Sequence, residues 1–189
     1  MKKRILNGLI ASVVVLTSLS FATMNKEVNV KESSVTWTGK KVTGSHNGTI
    51  QLKSGHLKVE DEKLVGGEFV MDMTTIENND LTGEDKQKLE GHLKSEDFFG
   101  VEKFPTSKLI ITSVAEKGDG TSGVVANWTI KNETHPVTFD LDWKESSASA
   151  KLSIDRSKFD VRFGSGSFFD NLGNKTIYDN FDLDINLKF

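Results

Sequence analysis

Cysteine is absent from this 189-residue chain. Its absence excludes disulfides, an acylated N-terminal cysteine, thiol catalysis and thiolate metal sites, so the fold must rest on its core alone. Beyond residue 22 no stretch is apolar enough to span a bilayer. Positive charge is also scarce. The first 22 residues hold three of the 24 basic side chains (Lys2, Lys3 and Arg4) and no acid, which leaves 21 basic against 27 acidic. No basic stripe with interleaved aromatics occurs, so nucleic acid is not an expected partner. Catalytic signatures are missing as well: there is no G-x-S-x-G elbow, no P-loop and no G-x-G-x-x-G after a strand. The four histidines, His46, His56, His92 and His135, form no HxH or HxxxH pair. Neither a metal nor a cofactor is expected from such spacings.

What is present begins with a basic start, an apolar run over residues 9–21 and small residues at Ser20 and Ala22. Residues 1–22 therefore read as a secretory signal peptide cut near Ala22, which predicts a periplasmic or secreted protein of residues 23–189.

Period-two alternation dominates the remainder. Phe181, Leu183, Ile185, Leu187 and Phe189 alternate with polar residues, as do Val137, Phe139, Leu141 and Trp143. Val124, Ala126, Trp128 and Ile130 form another set, and Phe69, Met71 and Met73 a further one. Shorter sets are Val35 with Trp37, Ile110 with Val114, and Ala150 with Leu152 and Ile154. Only a strand with one wet and one dry face wants this pattern. Turns are expected at Gly44–Gly48, Ser54-Gly55, Gly66-Gly67, Gly118-Asp119-Gly120 and Asn132-Glu133-Thr134. The count comes to about eight antiparallel strands. A closed barrel is preferred over a sandwich because closure removes exposed strand edges.

One short helix is expected over residues 84–94, opened by a capping-box pair, Thr82 and Asp85. Its apolar face holds only Leu89 and Leu93, so it should lie across a barrel end or side. Ser95 then caps a short turn carrying Phe98 and Phe99. Neighbours on a helical turn point about 100° apart, which predicts one ring in the barrel mouth and the other under the helix. Residues 164–174 form a long loop, flexible in its Gly-Ser portion, and long loops often carry function.

Several segments together resemble the YceI family of lipid/polyisoprenoid-binding-like domains. They are Trp37-Thr38-Gly39-Lys40, Gly44-Ser45-His46-Asn47-Gly48, Gly67-Glu68-Phe69-Val70-Met71, the block His92-Leu93-Lys94-Ser95-Glu96-Asp97-Phe98-Phe99 with Lys103-Phe104-Pro105, and Ile154-Asp155-Arg156-Ser157. They run in the family's order from about residue 27 to the C-terminus. Gly100 and Asn132 depart from the usual pattern. The resemblance implies an all-β, lipocalin-like extended antiparallel barrel that holds a long amphiphile such as a polyisoprenoid or isoprenoid quinone. It also implies export in many members and homodimers in some.

The residues alone leave the interior open between a filled core and a cavity, because an eight-stranded barrel has room for either. With the resemblance, the expected ligand-binding residues are Trp37, Phe69, Met71, Trp128 and Phe139 inside, with Phe98 and Phe99 at the rim. His46 is read either as a turn histidine bonding its own loop or as a mouth residue. Arg156 is read either as a local ion pair with Asp155 or as a contact for an anionic head group. The expected function is a non-enzymatic, exported lipid carrier with transient membrane contact. The alternative is an interaction or stress-response module with a filled barrel.

Overall fold

The computed structural model describes residues 23–118 and 120–189; the segment read as a signal peptide, residues 1–22, lies outside the described residues. The elements in order are β1 (Met24–Glu27), β2 (Ser34–Lys41), β3 (Gly44–Glu60), β4 (Lys63–Asn78), α1 (Gly83–Lys94), β5 (Thr106–Glu116), β6 (Thr121–Ile130), β7 (Glu133–Lys144), β8 (Ser147–Asp155) and β9 (Ile177–Lys188). Strands β2 to β9 each pair antiparallel with two neighbours, and the pairing of β3 with β4 closes the ring into an eight-stranded barrel. The ninth strand, β1, is an addition. β3 is 17 residues long, so its first part pairs with β2 while its last part is left over for β1, from Met24 opposite Val59 to Glu27 opposite His56.

The alternating apolar sets fill the interior. Val124, Ala126, Trp128 and Ile130 of β6 are all buried, as are Ala150, Leu152 and Ile154 of β8. In β5 the expected phase is wrong: Leu109 and Ile111 point inward and Ile110 is 41 % exposed. A register shift between Ile111 and Ser113 explains why Val114 still packs on the core. A bulge changes the parity of everything beyond it, which simple alternation misses.

The glycine-based turns need correcting in three places. Ser54-Gly55 lies inside β3 and Gly66-Gly67 inside β4, and Gly44–Gly48 begins β3 after a turn at Val42-Thr43. The β3–β4 turn is Asp61-Glu62, with φ of 47° and 64°, and the β6–β7 turn is Lys131-Asn132, with φ of 50° and 67°. Paired positive φ values define the hairpin turn whose twist suits two antiparallel strands. Here non-glycine residues adopt it; Asn132 marked the second turn, while Asp61-Glu62 carried little sign of the first. The strand glycines do something else. Gly48 sits opposite Trp37 and Gly55 opposite Phe69. A Cβ on Gly55 would come within 2.6 Å of the Phe69 ring, and one on Gly48 within 2.6 Å of the Trp37 ring and 1.8 Å of the Glu77 carbonyl oxygen. Each glycine makes the floor on which an aromatic ring lies.

The barrel's two ends differ. At one, β3–β4, β5–β6 and β7–β8 are joined by short turns; the residue between Gly118 and Gly120 is not among those described. At the other stand α1, the turn that follows it and the connection between β8 and β9. α1 starts after Thr82, but the Thr82 side chain makes no capping bond. The helix is tied down instead by Glu90, whose Oε1 accepts from the Asn78 N–H at 2.8 Å, and by buried Leu93. Ser95 ends α1, with its Oγ donating to the His92 carbonyl at 2.8 Å. The Gly-Ser segment is held rather than loose: Ser165 is fully buried and the Ile177 N–H donates to the Gly164 carbonyl at 2.8 Å.

Candidate functional site

Two adjoining cavities run through the barrel interior, of about 120 Å³ and about 50 Å³. The larger lies at the elaborated end, walled by Trp37, Met73, Ile76 and Phe181 and roofed by Leu93, Phe98 and Phe99. The smaller lies deeper, among Leu52, Phe69, Leu109, Phe139, Ala150 and Leu187. Val35, Met71, Trp128 and Ile185 line both and form the waist between them. The two indole N–H groups are engaged: Trp37 donates to the Thr49 carbonyl at 3.3 Å and Trp128 to Oγ of Ser107, itself a lining residue, at 3.4 Å. With those bonds made, the rings offer only apolar faces.

Arg156 is the one ionic side chain among the lining residues, and 2 % of it is exposed. Its Nε donates to the Tyr178 carbonyl at 3.2 Å, Nη1 to the Val161 carbonyl at 2.8 Å and Nη2 to the Ile177 carbonyl at 3.0 Å. Nη2 also stands 3.4 Å from Asp179 Oδ1, and the guanidinium carbon lies 5.4 Å from the centre of the Phe98 ring. Burial lowers its pKa from the usual arginine value, and Asp179 and then Asp155 oppose that shift. An arginine holds its charge through such a perturbation. Its ion-pair partner is thus Asp179. Asp155 turns aside to cap the turn beyond β8, where Oδ1 accepts from the Ser157 N–H at 3.0 Å and from Ser157 Oγ at 2.6 Å.

Phe98 and Phe99 stand edge to face, with centroids 5.1 Å apart. Both line the larger cavity, so neither packs apart from it as the turn geometry had suggested. Phe98 also contacts the ring of His92, whose Nε2 is buried without a hydrogen-bond partner.

His46 lines neither cavity. Its Nδ1 meets Asp80 Oδ2 at 2.8 Å, while Asp80 Oδ1 accepts from the Asn47 N–H at 2.9 Å and from Asn78 Nδ2 at 2.6 Å. Burial works to raise the Asp80 pKa, but the bonds from Asn47, His46 and Asn78 outweigh it and bring the carboxyl down to about 2. Asn78 is wholly buried and its Oδ1 accepts from the Leu81 N–H at 2.8 Å. This knot fastens the start of β3 to the segment leading into α1 and so fixes the roof.

The remaining expected side chains, Trp37, Phe69, Met71, Trp128 and Phe139, stand in the walls described above. Sequence reasoning passed over Ile76, Ile177, Tyr178 and Phe181. Phe181 carried a visible signal in the alternation of β9; Ile177 and Tyr178, at the strand's first turn beyond a long loop, carried none. Among the described residues no group of three or more histidine, aspartate or glutamate side chains is placed to hold a metal ion.

A closed antiparallel barrel with an apolar interior and one roofed end defines a lipocalin-like barrel. The chain belongs to the YceI-like domain family, whose pattern it matches over residues 27–189. Its fold is similar to that of BcnA from Burkholderia cenocepacia, at 19 % identity and a TM-score of 0.68 over 85 % of this chain and 98 % of that one. It is also similar to a polyisoprenoid-binding domain from Saccharophagus degradans implicated in plant cell wall breakdown, at 11 % identity and a TM-score of 0.58 over 89 % of this chain and 97 % of that one. In sequence, a UPF0312 protein of Shewanella denitrificans is 43 % identical over 47 residues, a stretch spanning 25 % of each chain.

Proposed function

We propose that this protein is an exported, non-catalytic carrier that holds the chain of one long amphiphile, of the polyisoprenoid or isoprenoid-quinone kind, across the two cavities. The observation that carries the reading is the pair of adjoining apolar cavities, joined at a waist and opening beside one buried arginine. Burying a hydrocarbon chain gains roughly 0.8 kcal/mol per CH₂, so each carbon that enters the cavities adds to affinity, against an association cost of roughly 4–15 kcal/mol. The tail supplies the main favourable term. Met71 at the waist is unbranched and changes rotamer easily, which suits a chain passing from the larger cavity to the smaller. Trp37, Phe69, Trp128, Phe139, Phe98 and Phe99 are assigned to the tail. Arg156 is assigned to the head, where it orients the ligand more than it binds it, since Asp179 already balances its charge. His46 holds the roof in place. The described residues contain no helix long and apolar enough to cross a membrane. The basic start and apolar run of residues 1–22 support export.

Native mass spectrometry of protein purified from its own envelope fraction, followed by lipid extraction, tests the reading. One adduct with the mass of a polyisoprenoid or isoprenoid quinone is expected. Protein that arrives bare and stays bare when offered such lipids would overturn it.

A further inference from the structure

Within the connection between β8 and β9, whose Phe159 and Val161 are buried, residues 163–169 are turned inside out. Ser165 is fully buried, while Phe163, Phe168 and Phe169 are 45 %, 41 % and 50 % exposed. This is not slack chain. The N–H groups of Phe168 and Phe169 both donate to the Ser165 carbonyl, at 3.2 and 3.0 Å, and Ser167 Oγ donates to Asp179 Oδ2 at 2.6 Å. The backbone is fastened so that the Phe168 and Phe169 rings face outward, while the Phe163 ring stands edge-on to His92 at 4.3 Å. Exposed rings grouped on one fastened segment mark a contact surface, since scattered apolar residues would need no such framework.

The surface is continuous with the cavity opening. Tyr178 both lines the larger cavity and is 51 % exposed, so it joins the cavity wall to the outer surface. The residue before it, Ile177, is bonded to Gly164 of the aromatic segment, and Val42, 48 % exposed, donates its N–H to the Thr176 carbonyl at 3.1 Å. Charge follows the same outline. Among the exposed side chains of residues 156–178, Lys158, Arg162 and Lys175 stand against Asp160 and Asp170, in a chain with 24 basic and 27 acidic residues; Arg156 is buried and paired with Asp179. The Arg162 guanidinium stands 5.0 Å from the centre of the Phe168 ring. Phenylalanine beside lysine and arginine is the chemistry of a surface that enters the boundary between head groups and acyl chains of an anionic bilayer.

We infer that the Phe163–Phe169 segment, with Val42 and Tyr178, docks the barrel opening on the surface of an anionic lipid bilayer. Its purpose rests on the carrier reading, because a cargo insoluble in water must be collected and delivered where the opening meets a membrane. The contact itself does not depend on which cargo is held.

The test is flotation of the full mature chain with vesicles of phosphatidylethanolamine and phosphatidylglycerol, read alongside its lipid content by native mass spectrometry. The wild type is expected to float, and more so at low salt. The double variant Phe168→Ser/Phe169→Ser, which alters no cavity-lining residue, is expected to lose about tenfold or more of that binding while keeping its cargo and melting temperature. The double variant Lys158→Gln/Lys175→Gln is expected to lose binding to these vesicles but not to phosphatidylcholine vesicles. Wild type that stays with the soluble fraction, or a phenylalanine variant that floats as well as wild type, would overturn the inference. Loss of cargo with flotation intact would instead strike the carrier reading and leave the docking surface standing.

Discussion

The two cavities are built alike but respond differently to change. Each is floored by an aromatic ring lying on a glycine of the neighbouring strand: Trp37 on Gly48 in the larger, Phe69 on Gly55 in the smaller. The smaller cavity has only apolar lining and sits among regular strands. The larger is roofed by a helix, held by the Asp80 knot and faced by the buried arginine. On the proposed carrier reading, binding strength and ligand orientation have separate seats: the deep cavity would set how much chain is buried, and the outer one how the head is held and how the cargo enters.

The comparison is broken most severely at Arg156. Arg156→Ala removes the donor from three backbone carbonyls and strips Asp179 of its partner. Chemical denaturation should show a loss of about 3–5 kcal/mol. Arg156→Met should cost less, because its apolar stem still fills the volume. The glycine seats come next and separate the cavities. Gly48→Ala drives a methyl group into the Glu77 carbonyl, which is part of the β4 backbone, whereas Gly55→Ala meets the Phe69 ring, a side chain that can swing. Thermal melts should show a loss of about 3 kcal/mol for the first and about 1 kcal/mol for the second.

The failures of the sequence reading lie in those same places. Alternation located most of the barrel and named Trp37, Phe69, Met71, Trp128 and Phe139 as wall residues, because side chains on a strand must take turns facing the core. Gly55 and Gly66 were mistaken for turns, because glycine serves both a bend and a close approach. The true bend at Asp61-Glu62 uses residues that seldom take positive φ. Ile110 was given the inward face because the bulge after Ile111 leaves no compositional trace. The choice between a hollow and a filled interior was not legible in the residues at all. It depends on how Phe98, Trp128 and Met71 turn in three dimensions, and only the family resemblance spoke to it. Arg156 was marked, as either a local ion pair with Asp155 or a head-group contact; the partner it meets is Asp179, which lies 23 positions on, next to Asn180, the residue paired with Asp155.

A finer probe fills the deep cavity from within. Ala150 is 6 % exposed and lines only the smaller cavity. Ala150→Leu should weaken binding of long-chain amphiphiles by about tenfold, equivalent to roughly 1–2 kcal/mol of lost burial, and leave short-chain ones unaffected. Titration by native mass spectrometry with chains of graded length would show it. An equal loss for all lengths would mean that both cavities act as one.

The smallest effect concerns acid. The Asp80 carboxyl is held at about 2, below its ordinary value near 4. A lowered carboxylate pKa contributes stability that is fully present above about pH 4 and is lost as pH falls toward about 2. Melting temperature followed across that range should fall less steeply for Asp80→Asn than for wild type. At neutral pH the same variant should be about 1 kcal/mol less stable, for want of its charge-assisted bonds. Identical acid slopes would remove the Asp80 knot from the account of how the roof is held.

The central claim is that one apolar chain is buried through both cavities in succession. The most direct measurement is the affinity of the cargo-free protein for a series of isoprenoid alcohols that differ only in the number of isoprene units. Affinity should climb with each added unit until the deep cavity is filled and then level off. Affinity independent of length would contradict the claim and leave a barrel whose interior serves only as a core.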